Sequence, residues 1–444
     1  MTYFFETYGC QMNSAESAAL ILACKERGWT EAESGESADL VLLNTCSVRL
    51  TAEKRALGRI ALYASLKKKQ KKFTLVAAGC MAQRLGEKLK EKYPQVDYVM
   101  GTYARSLFPL ILEAAEKGDK TFLDLTENAV FSFSSLHLED GYFRSFVPIM
   151  HGCNNFCSYC IVPYVRGREV SRDPAQIAQE INHVGDRGVR EITLLGQNVN
   201  SYFWEKDGTD FSRLLKLAAA EAEKSGVKWI RFLSANPKNF SSETIRVMAE
   251  HPVFCRHLHL PVQHGSDTVL KAMNRGYTVE RYMELVSQIR EAMPEITLST
   301  DVLTGFPGET EDDLKKTLKL MEDVRFIYSY MYHFNPREGT KAFDLPGRIP
   351  EEVKRERLSR VIALQKKHTS ELLKSRIGSR ELVLVEGISR KNADELITRT
   401  EKDEMAVVPG PASMIGSFVR LTLSGLRGNT FHSKKIDEVV CAGS

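Results

Sequence analysis

The sequence predicts an α/β protein of 444 residues, in which two regions of alternating strands and helices precede a short all-β region. Two observations lead to this fold class. Apolar, strand-like runs alternate with helical patterns up to about residue 372, which is typical of parallel sheets. The remaining sequence contains short strand-like runs broken by Gly, Pro and Asn, which is typical of a small β-barrel. At this length we expect two or three domains.

The bulk composition is that of an ordinary globular protein, with 43% hydrophobic residues, 27% charged residues and a net charge of +4. The first residues lack the basic and apolar segments of a signal peptide, and no apolar run reaches the roughly 18–20 residues of a membrane span. We therefore expect a cytoplasmic protein without membrane association. In a reducing compartment, clustered cysteines bind metal more often than they form disulfides. The lysine-rich run at 68–72 is expected to be a solvated helix end.

Residues 1–120 are predicted to form a Rossmann-like open parallel sheet. Three apolar runs, at 3–8, 39–43 and 73–78, alternate with helical patterns at 14–27 and 51–68. A cysteine follows each of these runs within a few residues, and the three are Cys10, Cys46 and Cys80. Because the carboxyl ends of parallel strands meet at one sheet edge, we expect these thiols to lie together.

The alternative for this first triad is a set of three unrelated buried thiols, since free cysteine is a common core residue. The repeated placement of the cysteine directly after a strand, with Gly or Asn just upstream, argues against that alternative. The other cysteines have no such context and are interpreted as structural: Cys24, Cys255 and Cys441.

Residues 121–140 are predicted to be a linker, and residues 141–372 to form a partial (βα)6 barrel of the TIM type. Six strand candidates support the barrel, at 146–150, 191–195, 229–233, 257–260, 296–302 and 327–334. Such barrels carry their active site at the carboxyl ends of the strands. Between the last two strands, Thr310 and Asp313 resemble a capping box that starts a helix. A small β-barrel is predicted at 373–440.

A compact second triad, Cys153, Cys157 and Cys160, comes directly after the first barrel strand. Three thiolates this close can hold three corners of a cubane iron–sulfur cluster, which leaves the fourth iron open to an outside molecule. A zinc site is the alternative, but structural zinc requires a fourth ligand that this loop lacks. The two incomplete triads therefore predict two [4Fe–4S] clusters.

The spacing of the second triad resembles the signature of radical S-adenosylmethionine enzymes. The resemblance implies that S-adenosylmethionine chelates the open iron and is cleaved to a 5′-deoxyadenosyl radical. It also implies that Tyr159 packs on the adenine of this cofactor. Polar residues at other strand ends, Gln197, Ser234 and Gln263, are expected to contact the cofactor, although ordinary loop chemistry would also account for each of them.

The segments 7–13, 44–49 and 78–83 resemble the N-terminal domain of methylthiotransferases, and 373–440 resembles the RNA-binding TRAM domain. The segments 9–13 and 271–278 resemble the branch that acts on isopentenyl-adenosine in tRNA. The resemblance implies methylthiolation of carbon 2 of N6-isopentenyl-adenosine at tRNA position 37, with two S-adenosylmethionine molecules per turnover. The first triad would then hold an auxiliary cluster that carries the transferred sulfur, and no side chain stands out as a general acid or base.

The same resemblance implies an electron donor of the flavodoxin or ferredoxin type, a separate sulfur donor, and a monomeric enzyme. Two alternatives remain at this point. One is methylthiolation of threonylcarbamoyl-adenosine or of a ribosomal-protein aspartate, and the other is a non-enzymatic iron–sulfur protein that binds RNA as a sensor. Three departures from the family pattern, at Asn236, His264 and Arg337, put local contacts in doubt but remove no cluster ligand.

Overall fold

The computed structural model describes residues 1–48, 50–69, 72–118, 124–125, 131–133 and 142–441. Most of the predicted linker at 121–140 lies outside these residues, so the domain boundaries stay predictions. Within the described residues, no helix is both long enough and apolar enough to cross a membrane.

The N-terminal region is an open, all-parallel sheet whose six described strands follow the order β2-β1-β3-β4-β5-β6. Both faces of β3 are buried, because helices cover the sheet on each side with separate apolar clusters. The Rossmann-like prediction is confirmed. The strands are β1 Thr2–Thr7, β2 Thr30–Glu31, β3 Leu40–Thr45, β4 Thr74–Gly79, β5 Tyr98–Met100 and β6 Asp124–Leu125; the helices are α1 Gln11–Glu26, α2 Leu50–Lys68, α3 Cys80–Leu85, α4 Glu87–Lys92 and α5 Phe108–Lys117.

The central region is the predicted partial barrel. Six parallel strands follow in the order β7, β10, β13, β14, β15 and β16, and a bridge between Ile230 and Phe254 joins the two halves. The strands are β7 Arg144–Pro148, β8 Met150–His151, β9 Val170–Ser171, β10 Glu191–Leu195, β11 Phe203–Trp204, β12 Thr209–Asp210, β13 Trp229–Phe232, β14 His257–His259, β15 Thr297–Thr304 and β16 Tyr328–His333.

The helices of the central region pack around the outside of this barrel, where a large apolar cluster fills the space between them and the strands. The predicted capping box is confirmed, since Thr310 and Asp313 exchange hydrogen bonds at the start of α12. The helices are α6 Val162–Arg166, α7 Pro174–Asp186, α8 Phe211–Ser225, α9 Ser242–Glu250, α10 Asp267–Ala272, α11 Val279–Ala292, α12 Glu311–Val324 and α13 Glu351–Ser375.

The C-terminal region is a small β structure with the strand order β21-β22-β19-β18-β17-β20-β23 in its described part. It closes the amino ends of the central barrel strands. Glu191 at the start of β10 accepts hydrogen bonds from Arg231 and Arg399, and the rings of Trp229 and Phe418 pack edge to face. Its strands are β17 Arg380–Ile388, β18 Glu395–Thr400, β19 Met405–Pro409, β20 Phe418–Thr422, β21 Gly425–Arg427, β22 Thr430–His432 and β23 Glu438–Cys441.

The N-terminal domain packs against the opposite end of the barrel. Met12 and Ala15 of α1 pack against Leu195 at the carboxyl end of β10, together with Phe146 and Leu233. The carboxyl edge of the N-terminal sheet therefore meets the carboxyl ends of the barrel strands.

We expect Arg399→Met to lower the free energy of unfolding by about 3 kcal/mol, because the buried Glu191 carboxylate then loses one of its two arginine partners. Urea unfolding followed by circular dichroism measures the change. Arg246→Met, which removes an exposed ion pair with Glu243, is the matched control and should cost less than about 1 kcal/mol. Equal effects of the two substitutions would contradict this account of the interface.

Candidate functional site

The structure brings the first cysteine triad together at the carboxyl edge of the N-terminal sheet. Cys10 precedes α1, Cys46 follows β3, and Cys80 begins α3, while β1, β3 and β4 are neighbours in the sheet. The loops touch directly, since a Cβ added at Gly9 would lie 2.8 Å from the Cβ of Cys46. Three thiols that are far apart in sequence thus occupy one site.

Amide and hydroxyl side chains fasten these three loops to one another. The Asn13 amide donates to Asn44 Oδ1 over 3.0 Å and to the Thr45 carbonyl over 3.2 Å, and Asn44 Nδ2 donates back to the Asn13 carbonyl over 2.9 Å. The Thr45 hydroxyl donates to the Ala78 carbonyl and accepts from the Ala82 N–H. All of these bonds are buried, so they hold the loops in a fixed arrangement.

The second triad lies on a loop that three other segments hold. Cys153 N–H donates to the Gly167 carbonyl over 3.0 Å, and Gln197 Oε1 accepts from the Gly152 N–H over 2.6 Å. Asn274 Nδ2 donates to the carbonyls of Asn155 and Phe156. Asn274 belongs to the 271–278 segment, which the sequence connected only with the family resemblance. In the structure this segment also holds the cysteine loop in place.

The two triads face each other across the domain interface. Cys80 of the first triad packs in a small buried cluster with Ile161, which directly follows Cys160 of the second triad, and with Val165 of α6. Arg166 then donates from Nε to Cys80 Sγ over 3.2 Å.

Hydrogen-bond donors point to five of the six sulfur atoms, whereas the Cys10 thiol donates to Asn13 Oδ1 over 3.3 Å. The backbone N–H two residues after the cysteine points to the sulfur of Cys46, of Cys153 and of Cys160. Cys157 Sγ instead accepts from the buried Arg275 Nη1 over 3.2 Å. Such donors suit anionic sulfur, and hydrogen bonds of this kind surround the thiolates of iron–sulfur clusters.

Burial makes three of the triad thiols harder to deprotonate. It raises the pKa of Cys80 to about 12, of Cys153 to about 11 and of Cys160 to about 12, and neighbouring thiolates of the same triad add to the increase at Cys80 and Cys160. Without metal these thiols are therefore protonated at neutral pH, and binding of iron must release their protons. Thiolates are soft ligands, so the two triads suit a metal group with several positive charges.

Among the described residues, no three His, Cys, Asp or Glu side chains converge on a point where one metal ion would fit. A single zinc ion needs its ligands around one centre, whereas a cubane cluster spaces its thiolates over the separate iron atoms. Each triad also supplies three ligands, one fewer than the closed shell of a structural zinc ion.

The four predicted cofactor contacts follow strands of the central barrel and have different surroundings. Tyr159 is half-buried against an apolar cluster that includes Phe306 and Phe334. Ser234 is exposed and Gln263 is buried, and both have a positive φ, of 65° and 71°. Backbone in this region is costly for residues other than glycine and is found at functional sites more often than elsewhere. Gln197 already uses its oxygen on the cysteine loop.

No prediction from the sequence covered a row of polar groups inside the barrel. Ser299 Oγ lies 2.9 Å from His257 Nε2 and 2.9 Å from His259 Nδ1, and His259 Nε2 lies 3.6 Å from Asp301 Oδ1. The ring of Tyr330, which is exposed, packs edge to face on His259. Their neighbours in the strands belong to the outer core, so these side chains face the lumen. The alternation of apolar and polar residues within 296–302 is the sequence pattern that could have predicted these lumen groups.

The three departures from the family pattern have structural roles. Buried Asn236 exchanges backbone hydrogen bonds with the Asn200 amide, which ties the ends of β10 and β13 together. His264 is 0% exposed and lies 3.2 Å from Glu309 Oε2. Arg337 reaches the N-terminal domain, where it donates to Glu53 over 3.2 Å and to the Val48 carbonyl over 2.9 Å.

Three family models match the chain. The Radical SAM superfamily matches residues 147–321, the Uncharacterized protein family UPF0004 matches residues 2–101, and the TRAM domain matches residues 374–431. Curated proteins named tRNA-2-methylthio-N(6)-dimethylallyladenosine synthase are similar over almost the whole length. The protein from Treponema denticola is 51% identical over 98% of this chain and 99% of its own, and that from Dictyoglomus thermophilum is 40% identical over 98% and 99%.

Solved structures share the fold at low sequence identity. The radical S-adenosylmethionine methyltransferase TsrM from Kitasatospora setae, with cobalamin and a [4Fe-4S] cluster bound, has a TM-score of 0.58 and 14% identity over 77% of each chain. The cobalamin-dependent S-adenosylmethionine radical enzyme OxsB has a TM-score of 0.51 and 12% identity, over 83% of this chain and 56% of its own. These likenesses support the fold.

We expect Gly152→Ala to abolish iron binding at the second triad, because a Cβ there would lie 2.0 Å from the Arg168 carbonyl oxygen and the backbone has a φ of 77°. Iron content after anaerobic reconstitution measures the loss. Gly208→Ala is the control, since Gly208 has a similar φ of 73° but open space around it. Backbone strain alone would cost about 1–2 kcal/mol in either variant. Full iron content in Gly152→Ala would refute the proposed tight loop.

Proposed function

The chain belongs to the tRNA-2-methylthio-N(6)-dimethylallyladenosine synthase family, and from this premise we propose that it methylthiolates carbon 2 of N6-isopentenyl-adenosine at position 37 of tRNA. The relatives favour this substrate over threonylcarbamoyl-adenosine and over a ribosomal-protein aspartate. They also favour an enzyme over a non-enzymatic iron–sulfur sensor.

The observation that carries the proposal is the meeting of two three-cysteine sites at one interface. Cys80 and Ile161 share a buried cluster, so the first triad lies beside the loop of the second. A reaction that inserts sulfur and uses a radical needs both functions near one substrate atom. Two incomplete sites placed far apart would not serve that reaction.

The residues fit two [4Fe–4S] clusters. Cys153, Cys157 and Cys160 would hold one cluster, and Cys10, Cys46 and Cys80 would hold the other. When bound, the first supplies the electron for cleavage of S-adenosylmethionine, of which two are used per turnover, and the second presents the sulfur to be transferred. These roles are assigned from the three thiols that each triad supplies.

The side chains of the chain itself position the reactants and exclude water. An aromatic C–H bond is too weakly acidic for ordinary base catalysis, so no proton-transfer residue is required. Tyr159, Ser234 and Gln263 stand at the barrel mouth, where they would contact S-adenosylmethionine, while Gln197 holds the loop through Gly152. Exposed aromatic rings in the lumen suit stacking of a nucleobase.

The tRNA would also contact the C-terminal barrel, which lies at the amino ends of the central strands and thus away from the triads. Contacts there would position the RNA without reading the reacting base. We further propose a monomeric, cytoplasmic enzyme that receives electrons from a flavodoxin or ferredoxin and sulfur from a separate donor.

Cysteine substitutions should separate the two activities. We expect Cys157→Ala to reduce cleavage of S-adenosylmethionine to background, because the cluster at the second triad is lost. Cys46→Ala should retain cleavage but stop sulfur insertion. Cys24→Ala is the control, because this thiol is buried in the N-terminal core outside both triads, and should retain both activities. The products, 5′-deoxyadenosine and methylthiolated tRNA, are measured by mass spectrometry.

Loss of the same single activity in Cys157→Ala and Cys46→Ala would contradict the assignment of cofactor cleavage to the second triad and of sulfur insertion to the first. Absence of 5′-deoxyadenosine from the reconstituted, reduced wild-type protein would contradict the enzymatic assignment itself.

Deletion of the gene should remove the methylthio group from N6-isopentenyl-adenosine in cellular tRNA and leave the isopentenyl nucleoside in its place. Mass spectrometry of total tRNA nucleosides measures this change. Complementation with wild-type protein should restore the modified nucleoside, whereas Cys157→Ala should not. Loss of methylthio groups from threonylcarbamoyl-adenosine instead would assign the protein to a different substrate.

A further inference from the structure

Arg166 lies between the two cysteine triads and contacts the one that is remote in sequence. It ends α6, the helix that follows Cys160, and yet its Nε donates to Cys80 Sγ over 3.2 Å. Its Nη1 and Nη2 donate to the two carboxylate oxygens of Glu16 over 2.6 and 3.1 Å. Arg166 and Glu16 are each 2% exposed, so these bonds are shielded from water.

The backbone around Arg166 is fixed as firmly as its side chain. The Tyr103 hydroxyl donates to the Arg166 carbonyl over 2.7 Å, and the Thr102 hydroxyl donates to the Val165 carbonyl over 2.6 Å. The next carbonyl, of Gly167, accepts the N–H of Cys153. Arg166 therefore contacts the first triad through its guanidinium, and the next residue, Gly167, contacts the second triad through its carbonyl.

The second triad has a counterpart in Arg275. Its Nη1 donates to Cys157 Sγ over 3.2 Å, and its Nη2 donates to the Pro261 carbonyl over 3.2 Å. Each triad thus has one buried arginine that bonds one of its sulfur atoms. A carboxylate orients the arginine of the first triad, and a backbone carbonyl helps to orient that of the second.

A cubane cluster held by three thiolates is anionic, and reduction makes it more so. A guanidinium that donates to one of the sulfurs stabilises the reduced state more than the oxidised state, which raises the reduction potential. The bond is strong here because it is charge-assisted and excluded from water.

We propose that Arg166 is a positioning residue for the cluster of the first triad, although it belongs to the barrel, and that it raises the reduction potential of that cluster through Cys80. Arg275 acts separately, on the cluster of the second triad through Cys157. This inference rests on the proposed function, because it requires both clusters.

A redox titration of the full-length, reconstituted protein, monitored by electron paramagnetic resonance, tests the proposal. The signal that disappears in Cys157→Ala identifies the cluster of the second triad. Arg166→Lys keeps the charge but lacks the planar set of donors, and it should shift only the other signal to a lower potential. Arg275→Lys is the matched variant and should lower only the potential of the second-triad cluster.

Glu16→Gln changes the charge beside Arg166 in the opposite sense. It removes the carboxylate charge that competes for the Arg166 guanidinium, so the potential of the first-triad cluster should rise, opposite in sign to the shift in Arg166→Lys. Arg105, which lies 3.5 Å from Glu16, loses its partner in Glu16→Gln and equally in Glu16→Gln/Arg166→Met. The double variant differs from Glu16→Gln only by loss of the bond to Cys80, so its potential should be lower than that of Glu16→Gln.

Shifts of the same sign in Arg166→Lys and Glu16→Gln, or an unchanged first-triad signal in both, would overturn the inference. A second-triad signal that moves in Arg166→Lys would overturn the assignment to Cys80. A wild-type protein that binds iron for fewer than two clusters would instead overturn the proposed function on which the inference depends.

Discussion

The buried ion pair between Arg166 and Glu16 is the interaction on which the arrangement of the two sites depends. It joins the barrel to α1 across 150 residues of sequence, in a region that water does not reach. Removing one member of a buried pair costs about 3–5 kcal/mol where the other charge is left without compensation. Here Arg105 Nη1 lies 3.5 Å from Glu16 Oε1, so the loss of Arg166 alone should cost less. The pair favours the observed docking of the sheet edge on the barrel mouth.

Around this pair, polar side chains hold the cysteine loops in place. Asn13 follows Cys10 by one helical turn and ties its loop to Asn44, and Asn274 clamps the second triad from another part of the barrel. Each satisfies buried backbone groups that the tight loops expose. Cluster sites need loops of fixed shape, because ligands must point to separate iron atoms of one rigid group.

Two departures from the family pattern, His264 and Arg337, hold loops of the central region in place. His264 lies in a buried network with Glu309, whose carboxylate also accepts the N–H of Gly305 and a bond from Arg357 on the long helix α13. Arg337 connects the end of the barrel to Glu53 beside the Cys46 loop.

The sequence by itself determined the three regions, the six parallel barrel strands, three of the six described strands of the N-terminal sheet and the spacing of the two triads, because strand periodicity and ligand spacing are local patterns. It missed β2, β5 and β6, which have only two or three residues each. Strand placement also predicted that Cys10, Cys46 and Cys80 would meet, since parallel strands end at one edge. Only the tertiary structure decided that the two triads face each other and that Arg166 bonds Cys80, 86 residues away. Local periodicity reports which face of an element is buried, but it contains no information on which distant surface covers that face.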